Sequence, residues 1–210
     1  LGLAANALGY MVATPVFERC DDSSGTVIGV FHDACTLLGE IALAARPAPA
    51  RLAEAVAEAL HDNGYGQYDG LIGILAPALG PEGLGHLKDR IGALAATPVA
   101  VPPKAEWEPV GFGSGGAVYA HQMEERARQS LVRHALQDIA DATGDVDGFI
   151  AQYEPAIRKV PLIAAQIAMR LLSAGRAADA LGFIDRAELR ERGPAPPEWQ
   201  AMRLAALEAL

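Results

Sequence analysis

The chain has 210 residues, 51% of them hydrophobic and 20% charged, and a formal net charge of −9. That length can bury a sizeable core and that composition excludes general disorder. An acidic surface without any Lys/Arg-rich run repels phosphates, so nucleic acid is not an expected partner.

In chain order, the first seventeen residues, LGLAANALGYMVATPVF, carry no charge. A signal peptide needs a basic leading region and a membrane span needs a longer run, and Asn6, Thr14 and Pro15 interrupt this one. The chain opens without Met and stops inside MRLAALEAL, which is still helical in pattern, so a segment of a longer protein is expected. The only two cysteines, Cys20 and Cys35, are too few for a disulfide scaffold or a zinc site and suit a reducing compartment. A soluble, cytoplasmic protein without membrane partners is the expectation.

From Thr26 the apolar residues Val27, Val30, Phe31, Ala34, Leu38, Ile41 and Ala45 recur with the helical period. DDSSGT before them supplies acidic and hydroxyl caps, and RPAPA at 46–50 ends the helix. A second helix runs through Leu52, Val56 and Leu60 to a left-handed stop at Asn63-Gly64. The corner NGYGQYDG at 63–70 then takes its positive φ angles from Asn63, Gly64 and Gly66, with Asp69 capping a short helix that Pro77 limits. Pro81 opens another helix with the stripe Leu84, Leu87, Ile91 and Leu94. The stretch 97–116 is rich in Pro and Gly and reads as a linker. A long helix is expected from about Ala117 to Ala142 through Met123, Ala127, Leu131, Ala135 and Ile139. GDVDGFIAQY starts the next, and 162–173, 176–188 and 197–210 complete the run.

DGLIGILAPAL (69–79) and DGFIAQYEPAI (147–157) echo each other, Asp147 standing 78 residues after Asp69. That offset would be two helical hairpins of about 39 residues each, a known solenoid period. IAMRLLSAGRAADALGFIDRAE (167–188) has the small residues and Gly-Arg turn of a tetratricopeptide-like hairpin.

Most chemical motifs fail on context. GFGSGG (111–116) matches G-x-G-x-x-G, but PPKAEWEPV rather than a buried strand precedes it. CDDSSGT cannot open a calcium loop, since Cys20 and Phe31 would occupy the first and twelfth ligand positions. His32, His61, His86, His121 and His134 show no metal-ligand spacing, and no nucleophile elbow is present.

VFERCDDSSGTV (16–27), DNGYGQYDGLI (62–72), GFGSGGAVY (111–119) and ALQDIADATGDVDGFIAQY (135–153), in this order, resemble a family of uncharacterised bacterial proteins known only as a domain of unknown function. The resemblance implies an all-helical, cytoplasmic protein of helical-repeat character, with no activity, cofactor or catalytic residue to transfer.

The expected fold is all-α: stacked helical hairpins of α-solenoid type, tetratricopeptide- or HEAT-like. It comprises an N-terminal array over 1–97, a linker over 98–116 and a C-terminal tetratricopeptide-like array over 117–210. The expected function is a non-catalytic scaffold that binds a protein or peptide partner, with no cofactor or metal. Asp21, Asp22, Tyr65, Tyr68 and Asp69 are the expected contacts, since loop tyrosines serve as binding anchors. The alternative is a hydrolase using Asp21 or Asp22 with a histidine in a cleft.

Overall fold

The computed structural model describes residues 3–189 and 194–210, so Leu1 and Gly2 of the uncharged N-terminal run lie outside the described residues. The fold is all-α, with one small hairpin of strands among the described residues. The chain forms two compact units, 1–142 and 143–210.

In the first unit, α1 (Leu3–Val12) and the short α2 (Val16–Arg19) lead into α3 (Thr26–Ala45), whose bounds follow the sequence pattern. Its start is held by Asp22, whose two carboxylate oxygens accept from the amides of Val27 and Ile28, each at 2.9 Å. Those amides belong to the first helical turn and have no partner inside the helix. At the far end Arg46 adopts a left-handed φ of 45°, because Pro47 bars it from continuing the helix.

The buried face of α3 differs from the expected stripe. Cys35, Leu38 and Ala42 are buried, whereas Val30, Ile41 and Ala45 are exposed. The helix is apolar on nearly every side, so periodicity alone does not select a face. By length and composition it could cross a membrane, with 17% of its most apolar stretch buried.

α4 (Pro49–His61) buries Leu52, Ala53, Val56 and Ala59 against α5 (Leu71–Ala96). Gly80 interrupts α5 with φ 59° and ψ −175°, immediately before Pro81, so it is two helical segments in succession. Leu71, Ile72, Leu75 and Leu79 from the first segment and Leu87 and Ile91 from the second are almost fully buried. Each such side chain contributes about 1.5–3 kcal/mol of burial free energy. α3 packs on α5 closely, since a Cβ on Gly39 would stand 2.7 Å from Ile74 Cγ2.

The stretch expected as a linker lies within the first unit. It holds a 3-10 turn (Lys104–Glu106) and an antiparallel hairpin of β1 (Pro109–Gly113) and β2 (Gly116–Tyr119). Ser114-Gly115 forms the turn between the paired Gly113 and Gly116. The glycine run is therefore a hairpin, and the following helix α6 (Ala120–Thr143) begins three residues later than expected. Of its predicted stripe, Ala135 and Ile139 join the core, while Met123 and Ala127 are exposed. The boundary expected at 98–116 and the observed division at 142/143 thus fall in different places.

The second unit contains α7 (Val146–Ala151), a 3-10 turn (Ile157–Lys159), α8 (Pro161–Ser173), α9 (Ala177–Asp185) and α10 (Pro197–Glu208). Asp145 caps α7 by accepting from Gly148 N at 2.8 Å. α8 ends in a Schellman turn: Gly175 has φ 73°, its amide reaches Leu172 O at 2.9 Å, and Arg176 N reaches Leu171 O at 2.8 Å. α8, α9 and α10 pack together through Ala164, Ala165, Ala168, Ala180, Ile184 and Ala206, all buried. The two echoing segments diverge in structure. Asp69 precedes α5 and Pro77 lies inside it, whereas Asp147 is within α7 and Pro155 falls in the turn after it.

Gly39→Leu is expected to destabilise the first unit by about 2–3 kcal/mol through overpacking against Ile74, measured by urea unfolding.

Candidate functional site

The loop between α4 and α5 is built by side-chain amides. Asn63 Oδ1 accepts from Tyr68 N at 2.8 Å, and Asn63 Nδ2 donates to Asp69 Oδ1 at 2.8 Å. Gln67, itself buried, donates to the carbonyl of Asp62 and accepts from Tyr65 N at 3.0 Å. The positive φ angles belong to Gly66 (78°) and Gly70 (77°); Asn63 and Gly64 do not adopt them. Asp69 does not cap α5, because its carboxylate closes the loop onto Asn63. His32 ties α3 to the loop by donating from Nε2 to the Gly66 carbonyl at 3.0 Å, which fixes the ring tautomer.

Rings reinforce the same corner. Phe17 stacks on Tyr65 with centroids 4.8 Å apart and meets Phe31 at 5.2 Å, and Phe31 meets Tyr68 edge-on at 5.9 Å. Tyr65 keeps 60% of its surface exposed, whereas Tyr68 retains 1%. Tyr68 is therefore a core residue, correcting its expected place on a contact surface. Among the described residues its hydroxyl has no hydrogen-bond partner. Burial, then the nearby charge of Asp62, then Cys35 push the phenol far above its ordinary range.

Asp22 is absorbed in the start of α3, and Asp21 accepts from Ser23 N at 3.1 Å. Among the described residues, neither carboxylate meets a histidine. The pairing on which a hydrolase was expected to rest is not assembled.

A cavity of about 910 Å³ lies beside the loop, between the ends of α4 and α5 and one face of α6. Asp69, Glu124 and Asp138 bring carboxylates to its lining, and Leu60, Leu94, Val99 and Leu131 bring apolar surface. Tyr68 also contributes to the wall, whereas Asp21, Asp22 and Tyr65 do not. Sequence reading missed this site, because residues up to 78 positions apart, Leu60 and Asp138, meet only in the fold.

Arg128 braces the cavity. Its Nη1 donates to the carbonyls of Leu94 (2.8 Å) and Ala95 (2.9 Å) near the end of α5, and its Nε and Nη2 grip Glu125 at 3.0 and 2.6 Å. These bonds from Arg128, joined by Gln129, hold the Glu125 carboxyl below the usual range against an opposing desolvation. Ser130 Oγ and His134 Nδ1, also in the lining, are 3.5 Å apart, the outer limit of a hydrogen bond.

These features define an all-α protein with a braced, partly acidic cavity in its first unit. Residues 8–210 match the profile of a family described as a Family of unknown function (DUF6880), and the chain belongs to that family. No curated protein and no solved structure matches it.

Tyr68→Phe removes an unpaired buried hydroxyl and is expected to leave stability unchanged or raise it by about 1 kcal/mol. Tyr68→Ala is expected to lower it by about 3–5 kcal/mol in the same urea titration. Because the folded-state pKa of Glu125 is depressed, its contribution is present above the ordinary glutamate range and is lost as pH falls through the folded value. Glu125→Gln should therefore have a lower melting temperature than wild type at neutral pH, with the gap closing on acidification.

Proposed function

We propose that the protein is a non-catalytic, α-solenoid-like scaffold of the cytoplasm that binds a peptide segment of a partner protein in this cavity. The observation that carries the reading is the composition of the wall. Apolar side chains from α4, α5 and α6 line the same cavity as Asp69, Glu124 and Asp138. Arg128, the one Arg or Lys of the lining among the described residues, is bonded to Glu125 and to backbone carbonyls. Such a wall favours an extended segment that places a Lys or Arg between apolar neighbours. The loop's amide bonds hold the site in shape before binding, which lowers the ordering cost.

The α8–α9 hairpin with its Schellman turn, and α10 packed across both, support the tetratricopeptide-like character. The free thiols of Cys20 and Cys35 fit a reducing compartment.

Co-purification from native cells tests the reading. Ala127 lies exposed in the cavity lining, so Ala127→Trp fills the space without disturbing the core. Partners recovered with wild type should be lost with Ala127→Trp and reduced about fivefold or more with Glu124→Gln. Undiminished recovery with Ala127→Trp would remove the cavity as the binding site.

A further inference from the structure

A second surface, on α3, stands apart from the cavity. The exposed side of this helix carries Val30 (62% exposed), Leu37 (58%) and Ile41 (40%), with the half-buried Ala34 and the exposed Ala44 between and beyond them. Positions 30, 34, 37, 41 and 44 follow the alternating four- and three-residue spacing of a coiled-coil seam, about 21 Å long. The seam is independent of the buried side, where Cys35, Leu38 and Ala42 fasten the helix to the core. Asp33 and Glu40 lie three residues beyond Val30 and Leu37, which are the rim positions where coiled coils place interhelical ion pairs. The other rim positions, Phe31 and Leu38, are spent on the protein's own core.

We infer that α3 docks a helix of another protein, one with an apolar heptad seam and Lys or Arg at the rim facing Asp33 and Glu40. Charge decides among the possible occupants. The α3 helix of a second copy offers only Asp33 and Glu40, or the core-packed Phe31 and Leu38, at its rim, because it contains no Lys or Arg. Pairing two α3 helices therefore leaves both acidic residues without a cation. A bilayer is disfavoured because α3 is fixed to α5 at Gly39, and the same two carboxylates would face lipid headgroups. A basic-rimmed helix satisfies the apolar seam and the rim together.

The test uses the full chain and synthetic helices of three heptads with Leu at both seam positions. One carries Lys at the rim positions, a second carries Glu there, and a third scrambles the Lys sequence. Fluorescence anisotropy should show the wild-type chain binding the Lys-rimmed helix and neither of the others. Leu37→Gln, at an exposed position, should weaken that binding about tenfold or more, and Ile41→Gln should act likewise. Asp33→Asn with Glu40→Gln should weaken it about fivefold at low salt. Ala127→Trp should leave it unchanged, so failure here and failure of the cavity reading are separable. Unchanged melting temperatures would show that each variant is folded.

Equal binding of the scrambled or Glu-rimmed helix would overturn the inference, as would no binding of the Lys-rimmed helix up to about 100 μM. Self-association of the chain that Leu37→Gln abolishes would assign the seam to a second copy instead. Flotation with phosphatidylcholine vesicles that Leu37→Gln abolishes would assign it to a bilayer.

Discussion

One side-chain amide sets the geometry of the first unit. Asn63 accepts from the backbone at Tyr68 and donates to the carboxylate of Asp69, so a single planar group holds two adjacent residues of the cavity lining in place. Tyr68 is buried where the core meets the cavity, and Asp69 stays exposed in the cavity lining. Backbone polar groups in such a tight corner must be satisfied locally, and here Asn63 and Gln67 substitute for the missing helical partners. The direction in which α5 leaves α4 then follows, and His32 secures α3 to the same corner.

Small residues account for much of the remaining packing. Ala42, Ala53 and Ala59 are buried in the first unit, and Gly39 lets two helices meet at a distance that a methyl group would prevent. With few aromatic side chains available, close approach of backbones replaces bulk as the means of filling space. Ala127 and Ala135 of α6 bring the same small side chains to the lining of the cavity.

The sequence made the helical class, the span of α3 and the break near Pro81 readable, since each depends on local period or on proline. The burial of α3 was not readable, because a helix apolar on most sides has no unique inner face. The loop was only half readable: its glycines announced a turn, but the long reach of Asn63 moved the positive φ angles to Gly66 and Gly70. The hairpin was masked by glycines, which weaken strand propensity even where Val110, Phe112, Val118 and Tyr119 favour pairing. As for the site, Asp69 was singled out from sequence, but its neighbours Glu124, Arg128 and Leu131 come from a helix whose placement no local pattern encodes.

The interruption at Gly80 has a consequence for how this architecture tolerates change. A continuous helix transmits rotational phase, so one inserted residue turns everything beyond it by about 100°. At Gly80 the ladder of hydrogen bonds is broken and phase is reset. Leu94, which carries the far wall of the cavity, is therefore keyed to Pro81 and not to Leu71. The two halves of α5 can drift in length as separate rods, and the joint between them acts as a coupling that absorbs the difference.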